Sequence, residues 1–332
     1  MLRPSSDPIP LTVIGGYLGA GKTTLINHLL RNCGRRSLAV IVNDFGSVDL
    51  DTTLVSRRHA QIISLTHGCI CCARRTEFVW TLARLRSRVA PPDHVLVEAS
   101  GISDPARIAE HANVHGFRLE PIIAVADAEA VRSHAAGALN GVRVRQQLTA
   151  ADMLVFNKVD LVSGREKQSI RDWLAEVAPA ARVVEAAYAR IPASLVLDWA
   201  GERPPAPEGV RDLEPTRLAA GAEVDREYGS WSWSRGAALD EGAFRWWVAS
   251  LPQALLRGKG VVYFGADPTR RYVFHLAGRR WTLDPDRGFE GEPTRSRLVL
   301  LGPCGSFDPD LLEMTIAQCT VDHPSPTSSA SA

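Results

Sequence analysis

Neither sign of charge is in excess in this chain: 38 Lys and Arg against 37 Asp and Glu leave a net charge of +1 over 332 residues. That balance offers no electrostatic footprint for nucleic acid or for an anionic membrane surface. Long apolar runs are missing as well, and none approaches the roughly 18–20 residues that a membrane helix needs. Residues 1–10 are polar and proline-rich and lack the apolar core of a secretory leader, so they read as a flexible N-terminus. The expected location is the cytoplasm, with no nucleic-acid or membrane partner. Cysteine is scarce, six residues in all, and a reducing cytoplasm disfavours structural disulfides. No internal repeat is visible.

What is present is a regular alternation. Short apolar runs at Leu11–Ile14, Leu38–Val42, Ile62–Leu65, Val95–Val97, Ile122–Val125, Met153–Phe156 and Arg182–Val184 read as strands. Helical patterns lie between them at Lys22–Arg31, Glu77–Val89, Val142–Ala150 and Arg165–Val177. In the first, Leu25, Ile26, Leu29 and Leu30 have the spacing of one buried face. Near-continuous apolar strands separated by helices predict an α/β fold with a mostly parallel sheet covered on both sides. This pattern fills residues 11–200. Residues 201–221 crowd glycine and proline without periodicity and read as a linker. Residues 222–320 read as a smaller α+β domain. Its first strand, Ser230–Ser234, alternates tryptophan with serine, and its last helix is capped by Asp308. Residues 321–332 are rich in Ser, Thr and Pro and read as a disordered tail.

Gly16-Tyr17-Leu18-Gly19-Ala20-Gly21-Lys22-Thr23 fits the Walker A pattern, directly after a strand and opening a helix. Such glycines let backbone N–H groups of the loop, Ala20 included, converge on phosphate oxygens, and the helix N-terminus adds partial positive charge. Lys22 is expected to reach the β- and γ-phosphates, Thr23 to ligate Mg²⁺ and Thr24 to bond a more distal phosphate. The alternative, a chance glycine-rich turn, has to match eight positions in the right context.

Asn157-Lys158-Val159-Asp160 follows the strand Met153–Phe156. Such a loop selects guanine, because the Asp160 carboxylate accepts from the ring N–H and the exocyclic amine, a donor pair that adenine lacks. Asn and Asp are also common in plain turns after strands. The placement downstream of a Walker A loop makes GTP the expected nucleotide. Val95–Val97 runs into Glu98-Ala99-Ser100-Gly101, where a carboxylate would hold Mg²⁺ directly or through water and Gly101 could approach the γ-phosphate with its backbone. Asn43-Asp44-Phe45-Gly46 ends the second strand. Asp44 could position the attacking water, sit near Mg²⁺, ligate a second metal, or belong to an ordinary Asx turn. Lys22, Asp44 and Glu98 are thus the catalytic candidates. No arginine finger is identifiable, which implies slow intrinsic turnover.

Three of the six cysteines fall within four residues, in Gly68-Cys69-Ile70-Cys71-Cys72. Three soft thiolates in one turn suit Zn²⁺, Cu(I) or a related soft transition metal. A closed structural zinc site needs four protein ligands, so the fourth position falls to Asp44, Asp49, His67, water or a partner's ligand. An open shell suits an exchangeable metal; a structural site completed from elsewhere and a redox thiol pair are the competing readings. Cys33, Cys304 and Cys319 read as packing residues. The arginines of 74–88 read as a solvated helix face.

These motifs together resemble those of the CobW-like GTPases, relatives of the urease and hydrogenase nickel-insertion GTPases. The resemblance rests on residues 15–24, 43–46, 68–72, 98–101 and 157–160, and on Leu251-Pro252, Lys259-Gly260 and Ser296-Arg297-Leu298-Val299 in the second half. It implies a P-loop GTPase domain followed by that family's C-terminal domain. It also implies a GTP-driven metallochaperone, most often with zinc on Cys69, Cys71 and Cys72 and Mg²⁺ at the nucleotide. The partner it implies is a client metalloprotein, and a homodimer is compatible with it. Two other classes compete: a zinc-sensing regulatory module whose hydrolysis times partner release, and a small-molecule P-loop kinase, against which the Asn-Lys-x-Asp loop argues.

Overall fold

The structure, a computed structural model, describes residues 8–42, 60–64, 75–112, 116–138, 140–197, 228–278, 280–288 and 294–321. Contacts divide the chain into two units, Met1–Gly201 and Glu202–Ala332.

The first unit contains strands β1 (Ile9–Gly16), β2 (Leu38–Val42), β3 (Ala60–Ser64), β4 (His94–Glu98), β5 (Phe117–Asp127), β6 (Met153–Asn157) and β7 (Arg182–Ala186). Its helices are α1 (Lys22–Arg31), α2 (Arg75–Arg86), α3 (Pro105–Ala112), α4 (Val131–Ala136), α5 (Gly141–Ala150) and α6 (Gly164–Val177). The sheet order is β3-β2-β4-β1-β5-β6-β7, and every pairing is parallel. Residues of both parities are buried along β1, β2, β4 and β6, so helices must cover both faces. One core cluster joins Leu11, Val13, Ile41 and Val97 to Phe78, Leu82 and Leu85 of α2 and Ile108 of α3. A second joins Ala124, Leu154 and Phe156 to Val144 and Leu148 of α5 and Ile170 and Leu174 of α6.

The expected α/β architecture is present, with shifted bounds and two added helices: the helix expected at 77–89 is Arg75–Arg86 and the strand expected at 62–65 is Ala60–Ser64. The fifth strand starts at Phe117 rather than Ile122. Arg118 and Glu120 break its apolar pattern but pair with each other at 2.9 Å, and the register against β1 slips between Leu11 and Val13 beside Pro121. Helices α3 and α4 have no counterpart in the sequence reading, because eight and six residues repeat the helical period too few times to register. The reading of the arginines of 74–88 as a solvated helix face holds for Arg84 of α2, which is exposed, while Arg88 is exposed beyond the helix end. Arg86 is half-buried and donates to the Gly116 carbonyl at 2.8 Å.

The second unit is an antiparallel sheet ordered β12-β11-β10-β13-β8, from β8 (Tyr228–Arg235), β10 (Arg257–Phe264), β11 (Asp267–Ala277), β12 (Arg280–Gly288) and β13 (Ser296–Pro303). Short strands β9 (Ala238–Leu239) and β14 (Thr320–Val321) pair beside it. Helices α7 (Glu241–Ser250) and α8 (Pro309–Ala317) start at Asp240 and Asp308, whose carboxylates accept backbone N–H groups of the first turn. Trp231 and Trp233 are buried with Phe244, Trp247, Phe264 and Phe274, while Ser232 between them is exposed. Cys33 and Cys319 are buried as expected, but Cys304 is exposed. Its apolar sequence neighbours belong to β13, and the chain turns outward after Pro303, with Gly305 at φ 72°.

Candidate functional site

In a parallel sheet every strand ends on the same edge, and that edge is where ligands of α/β proteins gather. Here Glu98 ends β4 in register with Ile14 of β1 and Val42 of β2. Val42 is in turn level with Ser64 of β3. On the other side of β1, Asp127, Asn157 and Ala186 share one level across β5, β6 and β7. The sequence motifs at 16–24, 98–101 and 157–160 therefore converge on one edge, although well over a hundred residues separate the first from the last.

The loop between β1 and α1 is shaped by its glycines. Gly16 (φ 131°) and Gly21 (φ 109°) lie in backbone conformations that side chains disfavour. A Cβ would also stand 2.5 Å from the Val125 carbonyl oxygen at Gly16 and 2.5 Å from Asn157 Nδ2 at Gly21. Gly21 caps α1, so the helix opens at Lys22 with its N-terminal N–H groups facing the loop. Lys22 is buried, and its ammonium donates to the Tyr17 carbonyl at 3.3 Å. Thr23 is half-buried and Thr24 exposed. The Thr23 hydroxyl donates to Glu98 Oε1 at 2.9 Å, and Glu98 is 2% exposed. A hydroxyl and a carboxylate make an all-oxygen donor pair, which suits a hard cation such as Mg²⁺. The glycine-lined helix start suits a phosphate chain.

Asn157 is 2% exposed, and both ends of its amide are engaged. Nδ2 donates to the Ala20 carbonyl at 2.9 Å, and Oδ1 accepts from the Ala189 N–H at 2.7 Å. The side chain thus ties the glycine loop to the segment after β7. Lys158 adopts φ 63°, and its ammonium bonds Asp127 Oδ2 at 2.6 Å. Asp160 is exposed on the short helical turn Val159–Leu161.

Sequence reasoning missed several residues at this edge. Tyr188 and Ala189 both have φ 53°, and with Lys158 they are the non-glycine left-handed positions among the described residues. Backbone held in that region tends to mark functional loops. His28 of α1 bonds the Ile191 carbonyl at 2.7 Å and anchors the same segment. Asp127 and Gln147 belong to no sequence motif either. Gln147 of α5 is 2% exposed, and its Nε2 donates to the carbonyls of Gly101 (3.0 Å) and Ser103 (2.8 Å). The available signal was the parallel-sheet rule, which sends the chain after β5 and β7 to the same edge as the motifs. Asp44, Asp49, His67, Cys69, Cys71 and Cys72 lie outside the described residues. Among the described residues no group of three or more His, Cys, Asp or Glu could hold a metal, and no helix is long and apolar enough to cross a membrane.

Comparison with known proteins bears on both units. The family profile described as CobW/HypB/UreG, nucleotide-binding domain, matches residues 10–185. The profile described as the cobalamin synthesis protein cobW C-terminal domain matches residues 228–320. A relative named zinc chaperone CobW, from Sinorhizobium sp, is 30% identical over 337 aligned positions, covering 90% of this chain and 94% of the relative. The zinc chaperone YjiA of Escherichia coli (strain K12) is 29% identical, covering 89% and 94%. The crystal structure of Zn(II)-bound YjiA GTPase from E. coli aligns over 95% of this chain and 100% of its own, at 22% identity and a TM-score of 0.41. With the nucleotide-binding profile spanning more than half its length and a relative matched nearly end to end, the chain belongs to the CobW/HypB/UreG family of nucleotide-binding proteins.

Proposed function

We propose that this protein is a GTP-binding, GTP-hydrolysing metallochaperone that carries a transition metal, zinc first, on Cys69, Cys71 and Cys72 and hands it to a client metalloprotein. The observation that carries the reading is the 2.9 Å contact between the Thr23 hydroxyl and the Glu98 carboxylate at the start of α1. It joins two motifs 75 residues apart at the head of a phosphate cradle. The relatives named as zinc chaperones support the cargo.

In this reading Gly16, Gly19, Ala20 and Gly21 offer backbone N–H groups to the phosphates and Lys22 neutralises them. Thr24 bonds a more distal phosphate. Thr23 and Glu98 hold Mg²⁺, which when bound offsets negative charge on the phosphate oxygens. Gly101 offers its N–H to the γ-phosphate. Asp160 reads the guanine edge beside Lys158, and Asn157 keeps the loop that carries them fixed to the phosphate cradle. Asp44 completes the catalytic set with Lys22 and Glu98. Residues 11–200 form the GTPase domain, 201–221 the linker and 222–320 the C-terminal domain, and the protein works in the cytoplasm.

Chain direction supports a link between nucleotide and cargo. β3 is parallel to β2, so Ser64 leaves the sheet on the edge that carries Glu98. Cys69 is the fifth residue beyond Ser64, a tether of at most about 18 Å. The test loads the protein with zinc and follows transfer to a fluorescent chelator. GTP with Mg²⁺ is expected to accelerate transfer, and neither ATP nor GDP is expected to do so. A transfer rate indifferent to nucleotide, or equal binding of ATP and GTP, contradicts the proposal.

A further inference from the structure

The turn after β4 is held from an unexpected direction. The Ser103 N–H closes it on the Ser100 carbonyl at 2.9 Å, and the two serine hydroxyls meet at 3.0 Å. Gly101 packs flat against the glycine loop, where a Cβ would stand 2.6 Å from Leu18 Cδ2 and 2.9 Å from the Leu18 nitrogen. Behind the turn stands Gln147. Its single amide nitrogen donates to both the Gly101 and the Ser103 carbonyls. Two carbonyl acceptors fix the orientation of that amide, because its oxygen could not face them. Among the described residues, Gln147 Oε1 has no hydrogen-bond partner.

A glutamine at this place is costly. Gln147 lies on the buried stripe of α5 between Val144 and Leu148, where an apolar side chain would pack without leaving a polar atom unmatched. Its two bonds therefore hold one particular turn geometry, the one in which Gly101 lies against Leu18 of the glycine loop. Gln147 clamps the peptides that follow Gly101 and Ser103, and the Ser100–Gly101 peptide, which carries the Gly101 N–H, is closed by the Ser103 N–H on the Ser100 carbonyl, so the turn is held to α5 as one piece.

We infer that Gln147 is a positioning residue for the reaction: by holding the Gly101 and Ser103 carbonyls it aims the Gly101 N–H at the γ-phosphate. This rests on the GTPase reading above and deepens it. The clamp discriminates between nucleotides, because GDP has no γ-phosphate for Gly101 to meet. A general packing role would affect GTP and GDP alike.

The test uses the full chain with two substitutions. Gln147→Met keeps the length of the side chain without its donor, and Gln147→Glu keeps its shape while setting a carboxylate against two carbonyls. GDP affinity, affinity for a non-hydrolysable GTP analogue and turnover are measured for each, with melting curves to check folding. In both variants GDP affinity is expected to stay within about twofold, while analogue affinity and turnover each fall about tenfold, as for loss of a buried hydrogen-bonding group. A parallel loss of GDP and analogue binding would overturn the inference, as would unchanged values for both. So would failure of both variants to fold, which would make Gln147 a core residue. If the unsubstituted protein neither prefers GTP nor hydrolyses it, the GTPase reading itself fails, separately from the role of Gln147.

Discussion

At the scale of single residues, the proposed function separates groups that meet a nucleotide from groups that hold those in place. Asp160 is exposed on the turn Val159–Leu161 that follows β6, where the proposed function has it read a base. Asp160→Asn is expected to weaken GTP by about 1–3 kcal/mol, the cost of an unmet buried donor pair. Xanthosine triphosphate should suffer less, since xanthine presents an acceptor where guanine has its amine. Competition binding reads this, and equal loss for both nucleotides would remove Asp160 from base recognition. Lys22 and Glu98 divide differently. Lys22→Ala is expected to abolish nucleotide binding. Glu98→Ala should keep much of the GTP affinity while lowering Mg²⁺-dependent phosphate release roughly 100-fold, as for loss of a preorganised charge. Glu98→Ala turning over at the unsubstituted rate would refute its place at the metal.

At the scale of elements, the edge of the first sheet is assembled by ties between loops. Asn157 bonds Ala20 and Ala189, so one side chain registers three loops. Asn157→Ala is expected to lower stability by about 1–3 kcal/mol and to weaken GDP and GTP together. Thermal denaturation and GDP titration check this, and a loss confined to GTP would contradict it. Helix α6 is fastened to β7 by Lys167 and Arg171, which bond Glu185 at 2.8 and 2.7 Å. Burial raises the Glu185 carboxyl pKa, but the two cationic partners outweigh it and hold it below the usual 4.5. A depressed carboxyl stabilises the fold above its unfolded pKa, and that contribution is lost as pH falls through the folded value. Because the pair is partly solvated, Glu185→Gln is expected to cost under about 1 kcal/mol at neutral pH. The gap to the unsubstituted protein should close as pH drops below 4.5. A gap that persists in acid would assign the effect to packing.

These elements differ in how far sequence could reveal them. β1, α1, β2, β4 and β6 were legible because apolar continuity and helical period are local properties. The glycine loop was legible because phosphate binding needs one contiguous backbone shape. Gln147 was not, since its partners at Gly101 and Ser103 lie 46 and 44 residues away. The one local trace was a polar residue on the apolar stripe of α5. His28 and Asp127 escaped for the same reason. Cys304 misled because its apolar neighbours belong to the strand before it.

At the scale of the whole molecule, the proposed function needs a nucleotide and a metal to communicate across one sheet edge. Thr23, Glu98 and Asn157 gather around the glycine loop, and the chain bearing the cysteine motif departs from the same edge at Ser64. If hydrolysis moves the segments around the γ-phosphate, ligands tethered there must feel it. Any coupling between two sites is reciprocal, so under the proposed function nucleotide state and metal affinity change together. The most direct measurement is a zinc titration of the full chain with a GTP analogue, with GDP and without nucleotide, beside a variant carrying Cys69→Ser, Cys71→Ser and Cys72→Ser. The expected result is a zinc affinity that differs at least about fivefold between the analogue and GDP states, the lower range of ordinary site-to-site coupling, and that collapses in the variant. Identical zinc affinities in all three nucleotide states, or an unchanged affinity in the variant, would contradict the account.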